Sequence, residues 1–133
     1  MPQRSAQRAR PLSPHFQIYR WPVTMATSIT HRVTGVALSI GTIVLAWWLI
    51  ATATGPDAYH VFAMSAANLI GQIVLFGFLW SLAFHFFNGI RHLAWDVGWG
   101  FDVPTANRSG ISVVILSVVS AIVVFLLAHG VLR

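Results

Sequence analysis

Two polar clusters interrupt an otherwise apolar sequence: Ser28-Ile29-Thr30-His31-Arg32 and His85-Phe86-Phe87-Asn88-Gly89-Ile90-Arg91-His92. An ionisable side chain at the centre of a bilayer costs roughly 2.5–3.5 kcal/mol or more, so imidazoles and guanidiniums kept there are expected to act on a ligand, a proton or an electron carrier. Neutral imidazole binds haem iron, and ligation also removes an unsatisfied nitrogen from the hydrocarbon. His85 is therefore the candidate axial ligand of a b-type haem. It lies about 9 Å along its helix from Arg91 and cannot easily snorkel to the interface. His92 is on the same face but about 10.5 Å further on, whereas two nitrogens bound to one iron stand about 4 Å apart, so one helix cannot supply both ligands through these residues. Arginine forks match carboxylates, so His31, Arg32, Arg91 and His92, placed at similar depth by opposed helices, could surround haem propionates or another polar ligand.

Each of these residues also has a plainer reading. Ser28, Ser39, Ser81 and Asn88 are the kind of residue that hydrogen-bonds between membrane helices, and Gly35 and Gly89 are better explained as packing positions. Arg32 and Arg91 are equally well read as interfacial anchors. His60, in the connection after the first helix, His129, near the end of the last, and His15 are weaker ligand candidates.

The elements that must position the clusters follow from composition. Hydrophobic residues make up 56% of the chain and charged residues 8%, against about 45–50% and about 25% in soluble domains, which points to a membrane protein. Cysteine is absent, excluding disulfides, thiolate metal sites and covalent haem attachment through C-x-x-C-H. Uncharged runs span Val33–Thr54, Ala58–Ile90 and Ile111–Leu132, separated by Gly55-Pro56-Asp57 and by the breaker-rich stretch Val97–Thr105. Each exceeds the roughly 20 residues that cross a bilayer. The expected architecture is all-α and integral to the membrane, with three transmembrane helices at about 24–54, 66–96 and 110–132 in a single anchor domain, preceded by a basic arm at 1–22. The first run is too long for the roughly 7–15-residue core of a signal peptide and is not followed by an A-x-A cleavage site.

At about 100° per residue, Ser28, Arg32, Gly35 and Ser39 share a stripe of the first helix with His31 at its margin, and His85, Gly89, His92 and Asp96 share one on the second. Arg4, Arg8, Arg10, Arg20, Arg32, Arg91 and Arg108 fall on one side of the membrane, with Asp57 and Arg133 on the other. That bias predicts a cytoplasmic amino terminus and a periplasmic carboxyl terminus. It also accounts for the net charge of +5 without nucleic acid.

The segments Arg10-Pro11-Leu12-Ser13-Pro14-His15, Ser28-Ile29-Thr30-His31-Arg32-Val33-Thr34-Gly35 and His85 through Asp96 together resemble the cytochrome b membrane-anchor subunit of succinate dehydrogenase, respiratory complex II. The resemblance runs from residue 10 to about 132. It implies a haem b shared with a second small membrane-anchor subunit, and a complex with an iron-sulfur subunit and a flavoprotein subunit that oxidises succinate and reduces ubiquinone or menaquinone. FAD and iron-sulfur clusters would belong to those partners. Carried over by position, His85 matches the haem ligand, His31, Arg32 and His92 match positions near the propionates, and Ser28 and Arg32 match those bordering the quinone headgroup. Helix two looks like the mitochondrial and alphaproteobacterial branch, and with no convincing transit peptide the expected location is a bacterial inner membrane. Two other readings remain open: a haem-free anchor of a related fumarate reductase, and a small transporter or channel subunit whose polar stripes line an ion path.

Overall fold

A computed structural model describes residues 20–130. They form four helices: α1 (Val23–Thr54), α2 (Pro56–Ala67), α3 (Leu69–Asp96) and α4 (Val103–Ala128). The 32, 28 and 26 residues of α1, α3 and α4 make each long and apolar enough to cross a membrane. At about 1.5 Å per residue even the shortest outreaches about 30 Å of hydrocarbon. Large apolar side chains such as Ile43, Ile73, Leu82 and Ile115 stay on the outside, where lipid is the solvent and burial within the chain gains little. The chain is a multi-pass, all-α membrane protein. Most of the expected basic arm, with the Arg10–His15 motif, lies outside the described residues.

Contacts fix the directions of the helices. Early α1 meets late α3 through Thr27 and Arg91, while mid-α1 meets earlier α3 where Gly41 faces Phe78; the two run antiparallel. Late α3 meets early α4 through Arg91 and Ser109, and early α3 meets late α4 through Phe76 and Phe125, whose rings stand edge-on at 5.3 Å. All three helices thus share one core.

Two boundaries differ from the sequence expectation. The apolar run Ala58–Ile90 is two helices, because Asn68 leaves helical geometry (φ −72°, ψ 164°) and its side chain accepts the Gly71 N–H, restarting the chain as α3 at 3.0 Å. An asparagine inside an apolar run can act as a cap as readily as a packing residue. The last helix begins at Val103 rather than near 110. Asp102 caps it by accepting the Thr105 N–H at 3.0 Å, and Pro104 sits in the first turn, where its missing N–H is harmless. The Thr105 hydrogen bonds hold the Asp102 carboxyl below its ordinary range. The residues read as breakers therefore start a helix, and the true turn is shorter. It uses Gly98 (φ 86°) and Gly100 (φ 82°) in the left-handed region that favours glycine.

Packing follows small-residue seams. Thr27, Thr34 and Gly41 recur every seven residues on α1, Ser81, Phe84, Asn88 and Arg91 at three and four on α3, and Ala106, Gly110, Val113, Ser117 and Ala121 likewise on α4. Such spacing keeps one line of each helix on its neighbour. A Cβ on Gly41 would collide with the Phe78 ring, and one on Gly110 would lie 3.0 Å from Val23 Cγ1. Close approach of backbones is what holds membrane helices together when hydrophobic burial does not.

Candidate functional site

The packed side of α1 brings Thr34, Gly35 and His31 against α3. Thr34, almost fully buried at 1% exposure, places its Oγ1 3.3 Å from His85 Nδ1 and donates to the His31 carbonyl at 3.0 Å. Beside it Gly35 leaves room for the ring, since a Cβ there would lie 3.2 Å from His85 Cε1. One turn back, His31 stacks on His85 with ring centroids 3.8 Å apart and planes within 13°. His92 tilts against His31 with ring centroids 5.2 Å apart. The two sequence clusters therefore meet, and His31, His85 and His92 form one group. His31 Nδ1 is buried without a hydrogen-bond partner, and His85 Nε2 has none among the described residues. The buried His31 Nδ1 has lost its hydration with no hydrogen bond to offset the cost. Among the described residues no group of three or more His, Cys, Asp or Glu side chains is arranged to hold a metal ion by itself.

Arg91 does not join this group. Its guanidinium turns inward and donates from Nε to Ser109 at 3.0 Å, from Nη1 to Thr27 at 3.1 Å and to Asn88 Oδ1 at 3.2 Å, and from Nη2 to the Ala106 carbonyl at 2.9 Å. Trp95 covers it, with Cζ 4.1 Å from the ring centroid. An arginine expected near a propionate or the interface is instead a tie among α1, α3 and α4, because five forked donors can satisfy acceptors on three helices at once. It also orients Asn88. With Oδ1 facing Arg91, the Asn88 amide nitrogen faces His92 Nε2 at 3.2 Å, so that nitrogen is an acceptor already in use. This hydrogen bond and the spacing along α3 agree in setting His92 apart from His85.

Ser28 and Arg32 lie elsewhere on α1. The buried line passes through Thr27, Thr34 and Gly41, and Ser28 and Arg32 are rotated from Thr27 by about 100° and 140°. Of the stripe read from sequence, Ser28, Arg32 and Ser39 thus face an open side of α1, whereas Gly35 lies against His85 and His31 belongs to the packed side. Ser28 is half-buried and Arg32 exposed, one turn apart, and neither has a hydrogen-bond partner among the described residues. Thr30, by contrast, spends its hydroxyl on the Ala26 carbonyl at 2.9 Å. His60 is exposed on α2, and His129 bonds Gln72 Oε1 at 2.6 Å, tying α4 to α3 far from the histidine group. Further along α1 and α3 opens an apolar groove of about 580 Å³, lined by Ala37, Gly41, Trp48, Gly77 and Phe78, with Ser81 at one side.

Sequence reasoning missed Thr34 as a participant, and it read Asn88 as bonding between helices, whereas its bonds run along α3 to His92 and Arg91. Thr34 could have been found from its seven-residue spacing to Thr27 and Gly41. Nothing in the sequence marked Asn88 as the link between Arg91 and His92.

The chain is 41% identical over 113 residues to the succinate dehydrogenase cytochrome b556 subunit of Paracoccus denitrificans, covering 85% of this chain and 87% of that one. It is 40% identical over 109 residues to the protein of the same name from Rickettsia prowazekii, covering 82% and 85%. The mitochondrial succinate dehydrogenase cytochrome b560 subunit of Sus scrofa is 41% identical over 117 residues, covering 85% and 68%. Residues 6–124 match a family described as the succinate dehydrogenase/fumarate reductase transmembrane subunit. With three membrane-spanning helices, the motif residues drawn together and most of its length matched, the chain belongs to the succinate dehydrogenase/fumarate reductase transmembrane subunit family.

Proposed function

We propose that this chain is the cytochrome b membrane-anchor subunit of a succinate:quinone oxidoreductase, holding one side of a b-type haem through His85 and bordering the quinone site with Ser28 and Arg32. The observation that carries the reading is the histidine group: His85 has an unpartnered Nε2, and the neighbouring His31 has a buried, unpartnered Nδ1. These residues fit a haem. His85 would supply one nitrogen to the iron, His31, His92 and Arg32 would serve the propionates, and the groove lined by Gly41 and Phe78 offers an apolar wall. When bound, haem b takes up and releases single electrons without changing its ligands. Ser28 and Arg32 would orient a quinone by donating to a carbonyl oxygen, and the guanidinium would stabilise charge arriving there. The second haem ligand would come from a partner membrane subunit, and succinate oxidation would belong to the flavoprotein and iron-sulfur subunits anchored on the cytoplasmic side of the inner membrane.

The test is a visible spectrum of the complex purified with its partners. Dithionite is expected to give reduced b-type bands in the wild type, and His85→Leu is expected to remove the low-spin signal. A complex without haem would favour the fumarate reductase anchor reading, and purification without flavin or iron-sulfur subunits would favour a transporter. His92→Leu is expected to perturb the spectrum less, since Asn88 already occupies its Nε2.

A further inference from the structure

We infer that Thr34 is a positioning residue for His85, accepting a hydrogen bond from Nδ1–H so that Nε2 carries the lone pair an iron requires. This rests on the reading of His85 as haem ligand. A threonine hydroxyl has one proton to give and can accept in return. Thr34 Oγ1 has two neighbours, the His31 carbonyl at 3.0 Å and His85 Nδ1 at 3.3 Å. Most other hydroxyls of α1 show where its proton goes. Thr30, Ser39, Thr42, Thr52 and Thr54 all donate to a carbonyl three or four residues back, and Thr34 has the same acceptor geometry.

With its proton committed to His31, Thr34 meets His85 only as an acceptor. In a neutral imidazole one nitrogen donates and the other accepts, so the proton on Nδ1 leaves Nε2 bare. The opposite arrangement would place the proton on the nitrogen that must bind metal. Thr34 is 1% exposed, so bulk water is poorly placed to replace its hydroxyl. Gly35, directly after it, admits the ring, and Thr34-Gly35 together form the seat for His85. A hydrogen bond from the outer nitrogen also raises the donor strength of the bound one, which favours oxidised iron.

Two matched pairs isolate the hydroxyl in the purified complex: wild type against Thr34→Val, and Thr34→Ser against Thr34→Ala. Redox titration of the haem is expected to give a higher midpoint potential in the Val and Ala variants, with Thr34→Ser near the wild type. Low-spin ferric g values in electron paramagnetic resonance are expected to shift in the same two variants. Haem lost from both hydroxyl-free variants and kept by Thr34→Ser also supports the inference. Equal potentials within either pair that keeps haem overturn it, as does loss of haem from all three variants. His85→Leu separates the two levels: if it leaves the low-spin spectrum intact, the ligand assignment fails. If it abolishes that spectrum while the pairs stay equal, only the role of Thr34 fails.

Discussion

Ser28 and Arg32 lie on the open side of α1 with nothing to bond within the described residues. A hydroxyl and a guanidinium stacked one turn apart, half-buried and exposed respectively, are two donors facing the side of α1 that the bundle leaves open. A quinone carbonyl is the acceptor they suit. A charge-assisted hydrogen bond contributes about 1.5–3 kcal/mol, so Arg32→Leu is expected to lower succinate–quinone reductase activity by about ten- to hundredfold, and Ser28→Ala by less. Succinate oxidation by a soluble artificial acceptor should be nearly unchanged, because that chemistry belongs to other subunits. Parallel loss of both activities with normal assembly would remove these residues from the quinone step. At this scale the sequence was informative where a side chain is costly in lipid. His31, His85 and Arg32 are conspicuous in apolar surroundings, whereas Thr34 is one hydroxyl among many and meets His85 across 51 positions of sequence.

The helices owe their fit to Arg91 as much as to their small residues. Its four hydrogen bonds reach Thr27 on α1, Asn88 on its own helix, and Ser109 and Ala106 on α4. Truncation would strand several of these acceptors in a place where water is scarce, at about 1–3 kcal/mol for an unsatisfied group. Arg91→Leu is therefore expected to lower the thermal stability of the complex and to weaken the Asn88–His92 hydrogen bond that depends on the amide's orientation. Arg91→Lys is expected to restore little, because a compact ammonium cannot span acceptors on three helices. A lysine variant melting with the wild type would show that charge alone suffices. The same scale explains where boundaries were misread. Pro104 looks like an interruption in a linear sequence and Asn68 like part of an unbroken run, but one opens α4 and the other caps α3. Their roles depend on whether they stand at the first turn, which local composition does not reveal.

For the whole molecule, the number of spans was legible because lipid imposes a length on every apolar run, while the side of each surface was not, because Ile43 at 70% exposure and buried Phe84 at 1% are equally apolar letters. Charge carries the remaining information. The antiparallel order of α1, α3 and α4 gathers Arg20, Arg32, Arg91 and Arg108 at one end and leaves Asp57 at the other without a lysine or arginine among the described residues. Cytoplasmic flanks hold the excess of basic residues, so the Arg-rich end is expected inside and α2 outside. The chain has no cysteine, which lets single replacements report position without background. His60→Cys on exposed α2 and Val97→Cys in the turn after α3, where Val97 is 82% exposed, lie at opposite ends and outside the histidine group. A membrane-impermeant maleimide added to intact spheroplasts is expected to label position 60 and spare position 97, and inverted vesicles should reverse the pattern. Labelling of position 97 in intact spheroplasts would place the Arg-rich end outside. The soluble subunits would then have no cytoplasmic surface at that end on which to dock, so the same measurement bears on the anchor's orientation and on its assembly.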